Sequence, residues 1–308
     1  MTPRLIGGEV EPRLGWAEVA DAIEAGHRLP AGENGDMLLS RGEDALLSRA
    51  AWIPGLGALV KTATVMPGNP ARGRAAVNGA AALFDDGDGR LSALIDFHLL
   101  TRWKTAADSL LGARHLARRD AAAILIVGAG EVAGNLRAAY GTLFPGARFA
   151  VWARRDEAAT AFARAHPGTD MVRELEAGVR AADVIACATM AREPLIRGAW
   201  LRAGQHLDLV GSYRADMREA DDEALARARV FADCRPRAAE TGEIARATPP
   251  PPIVADFRDI AGGGFARRTA EEITLFKNAG GAHLDLIVAR HLLSVAGPAP
   301  AGGGRGPG

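Results

Sequence analysis

The chain has 308 residues, 48% of them hydrophobic, with 37 basic and 37 acidic side chains and so no net charge. That length fits two domains or one large one, with enough apolar material for a substantial core. The charge balance offers no field to recruit nucleic acid or an anionic membrane, no apolar run reaches the roughly 18 residues of a membrane span, and the N-terminus MTPRLIGGEVEPRLGW lacks an apolar signal core, so a cytoplasmic protein is expected.

Residues 14–28 read as an amphipathic helix. Beyond them, DMLLSR, GALVKTATVM, AAVNGAAALFD and LSALID read as strands separated by Gly, Pro and Asp. DDGDG at 85–89 reads as a hairpin turn, because Asp and Gly tolerate the backbone angles that tight turns need. It lacks the downstream glutamate and flanking helices of a calcium loop, and no metal site is expected. A long helix is predicted from about Leu99 to Arg119, with Thr101 as N-cap. The texture then changes: AILIV, RFAVWAR, DVIACAT, HLDLVGS and RVFADC alternate with helical stretches over residues 121–260, which implies parallel βαβ units. Cys187 and Cys234 lack metal-ligand spacing and read as small buried thiols. PPPP at 249–252 reads as a connection, residues 271–293 as a terminal helical segment broken near Gly280 and Gly281, and the Gly/Pro-rich residues 296–308 as a disordered tail. Asp216 reads as a helix cap and His206 as a structural residue.

Two features carry chemistry. The segment ILIVGAGEVAG follows a buried strand and opens a helix, the context in which a glycine loop binds a dinucleotide. Gly128 would permit the tight turn and Gly130 the close approach of a pyrophosphate. Ala129, Glu131 and Val132 complete the loop, and small Ala133 allows helix and strand to pack. At the end of the next strand, where an acid would bind the ribose of NAD, stand Arg154 and Arg155, which suit a 2′-phosphate. NADP(H) is therefore preferred; Asp156 just beyond keeps NAD(H) possible. The second feature is lysine: of 37 basic residues only Lys61, Lys104 and Lys277 are not arginine. In so arginine-biased a chain, lysine should persist where a compact, deprotonatable point charge is needed.

These stretches together resemble the ornithine cyclodeaminase/mu-crystallin family over roughly residues 15–292. The matching segments include VKTATVMPGN, LTRWKTAADS, VGAGEVAG, ADVIACAT, AGQHLDLVGSYRADMREADDE and TLFKNAGGAHLD. The resemblance implies an α/β fold: a Rossmann-type, doubly wound parallel sheet beside an α+β substrate and dimerisation domain. The expected boundaries are 1–118 for the substrate domain, completed by a C-terminal helix 287–295, and 119–286 for the dinucleotide domain. It implies that Lys61 contacts a substrate carboxylate and that Thr189, Gly211, Ser212 and Lys277 join the cofactor site. Lys104 replaces the family's usual arginine, which keeps a cation and loses a bidentate grip. Asp108 could pair with it one turn on, or help orient a substrate amine. Arg41 is the nearest match to a further family arginine. Tyr213 stands where ornithine cyclodeaminase has an aspartate, a pattern closer to the ketimine reductases. The implied activity is NAD(P)H-dependent reduction of a small cyclic ketimine carboxylate to the L-amino acid, with Lys61 or a water as proton donor, in a homodimer. Ornithine cyclodeaminase or amino-acid dehydrogenase activity, and an NADPH/small-ligand binding role like that of mu-crystallin, are the alternatives.

Overall fold

The computed structural model describes residues 3–297, which divide into two compact units. The first holds residues 3–15, Leu29–Thr101 and 282–297; the second holds Trp16–Arg28 and Arg102–Gly281. The tail expected to be disordered falls, from residue 298, outside the described residues.

The first unit is built on a six-stranded sheet: β1 (Arg4–Ile6), β2 (Glu33–Arg41), β3 (Asp44–Ile53), β4 (Gly57–Val65), β5 (Val77–Phe84) and β6 (Leu91–Asp96), in the order β1-β6-β5-β4-β3-β2. Only the β1–β6 pair is parallel. The hairpin at 85–89 forms as expected: Asp85 N–H donates to the Arg90 carbonyl, and Gly89 sits at φ +69°. Strand β4 alternates buried Leu59, Lys61 and Ala63 with outward Val60, Thr62 and Thr64. Its buried side packs against the helix Ala282–Ala296, which also touches β2, β3 and β5. That helix begins five residues earlier than the expected 287 and includes Ala296, because Ala282 to Leu286 are apolar enough to be buried with the rest.

The second unit is an eight-stranded, wholly parallel sheet. Its strands are β7 (Ala123–Val127), β8 (Arg148–Trp152), β9 (Thr169–Met171), β10 (Val184–Cys187), β11 (His206–Leu209), β12 (Ala228–Ala232), β13 (Ile253–Ala255) and β14 (Ile273–Lys277). Their order is β13-β12-β14-β11-β10-β7-β8-β9. From β7 the chain first adds β8 and β9 on one side and then β10 and β11 on the other, so a topological switch point lies between β7 and β10. β14 corrects the expected helix over 271–293. ITLFK is a fully buried strand between β11 and β12, and only the part after Gly281 is helical. A short apolar run has no period by which to tell buried strand from buried helix.

The long helix spans Phe97–Leu116 and is capped by Asp96, whose Oδ1 accepts from Leu99 N–H at 2.7 Å; Thr101 lies inside it. Most of this helix, and the helix Trp16–Gly26, belong to the second unit, which differs from the expected boundary at 118. Ion pairs join them: Arg114 to Asp21 at 2.5 Å and His115 to Glu24 at 3.1 Å. Asp216 caps nothing; it is salt-bridged to Arg214, and Asp221 caps the helix Asp222–Arg227. His206 is fully buried on Thr274, and burial presses its pKa down to about 3. Cys187 is buried, whereas Cys234 is half-buried at the head of the helix Arg235–Glu240.

Candidate active site

In the second unit, the loop after β7 has the shape a dinucleotide needs. Gly128 sits at φ +119°, and a Cβ there would lie 2.5 Å from the Ala188 carbonyl at the end of β10, so only glycine fits at this switch point. Gly130 is the N-cap of the helix Glu131–Leu143, has no side-chain cap, and has open space where a Cβ would project. The first N–H groups of a thirteen-residue helix are thus left for an anion. Ala129 is half-buried in the loop, Glu131 and Val132 are exposed, and Ala133 is buried in the helix–sheet contact. These residues fit a pyrophosphate. Arg154 and Arg155 follow β8, both exposed. Asp156 faces Arg173 at 3.8 Å.

The ends of β10 and β11 are fastened by two glutamates that the sequence pattern did not single out. Glu219, fully buried, accepts from Thr189 N–H (2.7 Å), the Thr189 hydroxyl (2.8 Å) and Gly211 N–H (2.7 Å). Burial nevertheless raises its carboxyl to about 7. Glu243 accepts from the Ser212 hydroxyl (2.7 Å) and from Glu219 and Ala220 N–H. Thr189 and Gly211 therefore lie at the carboxyl ends of the central strands with their backbones held. Ser212 and Lys277 do not face open space. Both are fully buried, and Lys277 Nζ donates to the Leu209 and Asn278 carbonyls at 2.8 and 3.0 Å. Their position supports the strand ends. The cue for the glutamates was available: a charged residue in an otherwise buried segment is paired or hydrogen-bonded.

Lys104, 7% exposed, stands on the long helix of the same unit with Asp108 Oδ2 at 3.6 Å. Gly280, at φ +71°, is what admits it: a Cβ there would meet Lys104 Nζ at 2.7 Å. Asp108 is fully buried, with Asp233 as its neighbour. Asp208 on β11 accepts from Tyr140 OH at 2.8 Å, and burial raises it to about 6.

In the first unit, Lys61 is buried on the inner face of β4, its ammonium 2.8 Å from Asp285 Oδ1 and 4.8 Å from the centre of the Phe97 ring. Asp285 is the one acidic residue on the helix AHLDLIVARHLLSVA and lies in its buried stretch, and a carboxylate in a buried stretch was its signal. Arg41 is not near this group. It lies at the exposed β2–β3 turn, paired with Asp44 at 3.0 Å. Arg49 stands directly across the ladder from Lys61 and on the same face, held by Asp36 at 3.1 Å. Only the strand register, absent from the residue pattern, reveals that pairing.

The chain is similar to known proteins in sequence and in fold. The profile of the ornithine cyclodeaminase/mu-crystallin family matches residues 55–295. The Delta(1)-pyrroline-2-carboxylate reductase of Paracoccus denitrificans is 45% identical over 300 residues, covering 94% of this chain and 95% of that protein. Two solved structures share the fold. The Thermococcus litoralis Delta(1)-pyrroline-2-carboxylate reductase, in complex with NADH and L-proline, aligns with TM-score 0.85 at 24% identity over 95% of this chain and 97% of its own. An archaeal alanine dehydrogenase dimer with bound NAD aligns with TM-score 0.86 at 24% identity over 96% of each chain. The chain belongs to the ornithine cyclodeaminase/mu-crystallin family.

Proposed function

We propose that this protein is an NAD(P)H-dependent reductase of small cyclic ketimine carboxylates, with Δ1-pyrroline-2-carboxylate reduced to L-proline as its reference reaction. The observation that carries the proposal is the 45% identity, over 94% of the chain, to a reductase of that substrate. The glycine loop and buried lysines supply the parts such a reaction needs. The backbone of Gly128, Ala129 and Gly130 and the helix they open would hold the dinucleotide's pyrophosphate. Arg154 and Arg155 give NADPH the preference over NADH, since charge-assisted bonds to a 2′-phosphate have no counterpart at a hydroxyl. When bound, the reduced nicotinamide supplies the hydride.

The chain's own residues do the rest. Lys61 and Lys104 each bind the substrate carboxylate, and holding the imine carbon in one orientation supplies much of the rate. Lys61 also gives a proton to the imine nitrogen, with Asp285 as counter-ion to the ammonium. One hydride on carbon and one proton on nitrogen complete the amine. Arg49, across the ladder from Lys61, adds a second cation on that face for the substrate, the part expected of Arg41. The protein acts as a homodimer.

The test is steady-state turnover of Δ1-pyrroline-2-carboxylate with NADPH and with NADH. Efficient oxidation of NADPH with L-proline as product is expected. Ammonia and proline formed from ornithine instead would reassign the protein as a cyclodeaminase. Tight NADPH binding without turnover of any cyclic imino acid would make it a binding protein.

A further inference from the structure

Lys104 and Asp108 look like an ordinary ion pair one helical turn apart, but their surroundings do not fit one. Asp108 is completely buried, and neither of its oxygens accepts a hydrogen bond among the described residues. Its separation from Lys104 is 3.6 Å, against 2.8 Å for Lys61 and Asp285. Asp233, from the loop after β12, is the opposite case. Its carboxylate accepts from Cys234 N–H at 2.7 Å, from Ala279 N–H at 3.1 Å and from Gly280 N–H at 2.5 Å. Both of its oxygens are thus taken up by backbone donors. The carboxyl of Asp108 lies against that of Asp233, so two ionised carboxylates would share a dry space with one ammonium.

The other charged and titratable groups facing Asp108 do not supply a second cation. Asp208 approaches from β11, and Tyr140, from the helix Glu131–Leu143, donates to Asp208. Ser109 accepts from Asn278 Nδ2 at 3.0 Å. The cation Lys277 is spent on two carbonyls.

We propose that Asp108 is carried as a neutral acid whose proton is shared with Asp233, whose own carboxylate is taken up by backbone N–H groups, and that this leaves Lys104 without an ionised partner one turn along its helix and so open to an anionic group of the substrate. Asp108 is thus a positioning residue that sets the charge of the subsite. Burial is the first cause pushing its carboxyl well above the usual carboxylate range and Asp233 the second, while Lys104 pulls the other way. Loss of the proton at alkaline pH would pair Asp108 with Lys104 and cancel the charge offered to the substrate. The inference rests on Lys104 being a carboxylate ligand.

The probe is pyrrole-2-carboxylate, whose ring does not titrate in the working range, with pyrrole-2-carboxamide as its neutral counterpart. Binding to the full chain with NADPH is followed by calorimetry from slightly acid to moderately alkaline pH. In the wild type, carboxylate affinity should fall about 10–100-fold on the alkaline side, as one charge-assisted contact is lost, with no such fall for the carboxamide. Asp108→Asn, which keeps an N–H donor for Asp233 and cannot ionise, should abolish that fall. Superimposable wild-type and Asp108→Asn profiles would overturn the proposal, as would tenfold tighter carboxylate binding by the variant already at neutral pH. A second readout needs no variant at Asp108. Calorimetry of wild type at neutral pH in buffers of different ionisation enthalpy should find no proton uptake on binding, and uptake approaching one proton would mean Asp108 had been ionised. Lys104→Met separates the two readings: if it leaves carboxylate affinity unchanged, Lys104 is not the ligand, whatever the state of Asp108.

Discussion

At the scale of single residues, the chain's scarce lysines mark buried positions. All three lysines are buried, which an arginine-biased surface would not require. What residue pattern alone did not supply was the partner of each. Asp285 lies 224 positions from Lys61, and only the fold brings them to 2.8 Å. That pair yields a prediction that separates structure from chemistry. Asp285→Asn should destabilise the protein, because it removes the carboxylate that lies 2.8 Å from the buried Lys61 ammonium. Lys61→Met should destabilise comparably by leaving Asp285 uncompensated. The double variant Lys61→Met with Asp285→Leu should regain most of the stability measured by urea denaturation, because an apolar pair of similar size replaces the ion pair. Its imine reduction should nevertheless stay at least a hundredfold below wild type, since the cation has gone. A double variant that is stable and active would remove Lys61 from the reaction.

At the scale of elements, the segments with strong local grammar were legible and the weak ones were not. Strand β7, its glycine loop and the helix after it were readable because Gly128 and Gly130 announce the turn and AILIV the buried strand. Strands β1, β9 and β13 have three residues each, too few for a period to emerge, and β3, DALLSRAAWI, has no apolar–polar alternation and is half-buried over its first seven residues. β14 was misread because a strand buried on both faces carries no alternation. The end of β8 offers the cofactor prediction. Arg154→Ser and Arg155→Ser together should reduce kcat/KM with NADPH by tenfold or more and change it little with NADH, because the lost bonds are charge-assisted contacts to the 2′-phosphate, about 1.5–3 kcal/mol each. Equal losses with both cofactors would place the arginines elsewhere in the chemistry. β11 offers a second. Burial raises Asp208 to about 6, so the native protein keeps a proton that the unfolded chain has already released. That stabilisation is complete in acid below the ordinary carboxylate range near 4, falls as pH rises to about 6, and stays lost above. Asp208→Asn should gain on the wild type over the same interval, up to on the order of 3 kcal/mol at neutral pH. Urea denaturation at acid and neutral pH measures the difference, and a gap that does not grow with pH contradicts the account.

At the scale of the whole molecule, the division into an antiparallel and a parallel part was legible from the change of texture near residue 120, but its edges were not. The helix Trp16–Gly26, which lies between β1 and β2 in the chain, belongs with the parallel part, and no local pattern encodes a partner almost a hundred residues away. The first unit also leaves one face of its sheet uncovered. Leu5 (77% exposed), Leu94, Val60, Trp52 (62%), Met37 (50%) and Leu39 (57%) share that face, and a depression of about 540 Å³ is lined there by Gly35, Ala50, Trp52, Ala58, Val60 and Phe84. A contiguous apolar face of this kind marks an interaction surface. Edge strand β2, exposed along all nine residues, adds unpaired backbone to it. An interface at this face is the expectation for the proposed homodimer. Trp52→Glu combined with Val60→Glu should then convert the dimer to monomer in sedimentation equilibrium, because each buried charge without a partner costs several kcal/mol at an interface. The far-UV circular dichroism of the variant should match wild type, since both side chains project from the chain's own surface. Leu38→Glu is the matched control. That residue is 63% exposed on the same edge strand but points to the opposite face, and its charge should leave the dimer intact. A Trp52→Glu/Val60→Glu protein that sediments as a dimer at wild-type affinity would exclude this face as the interface.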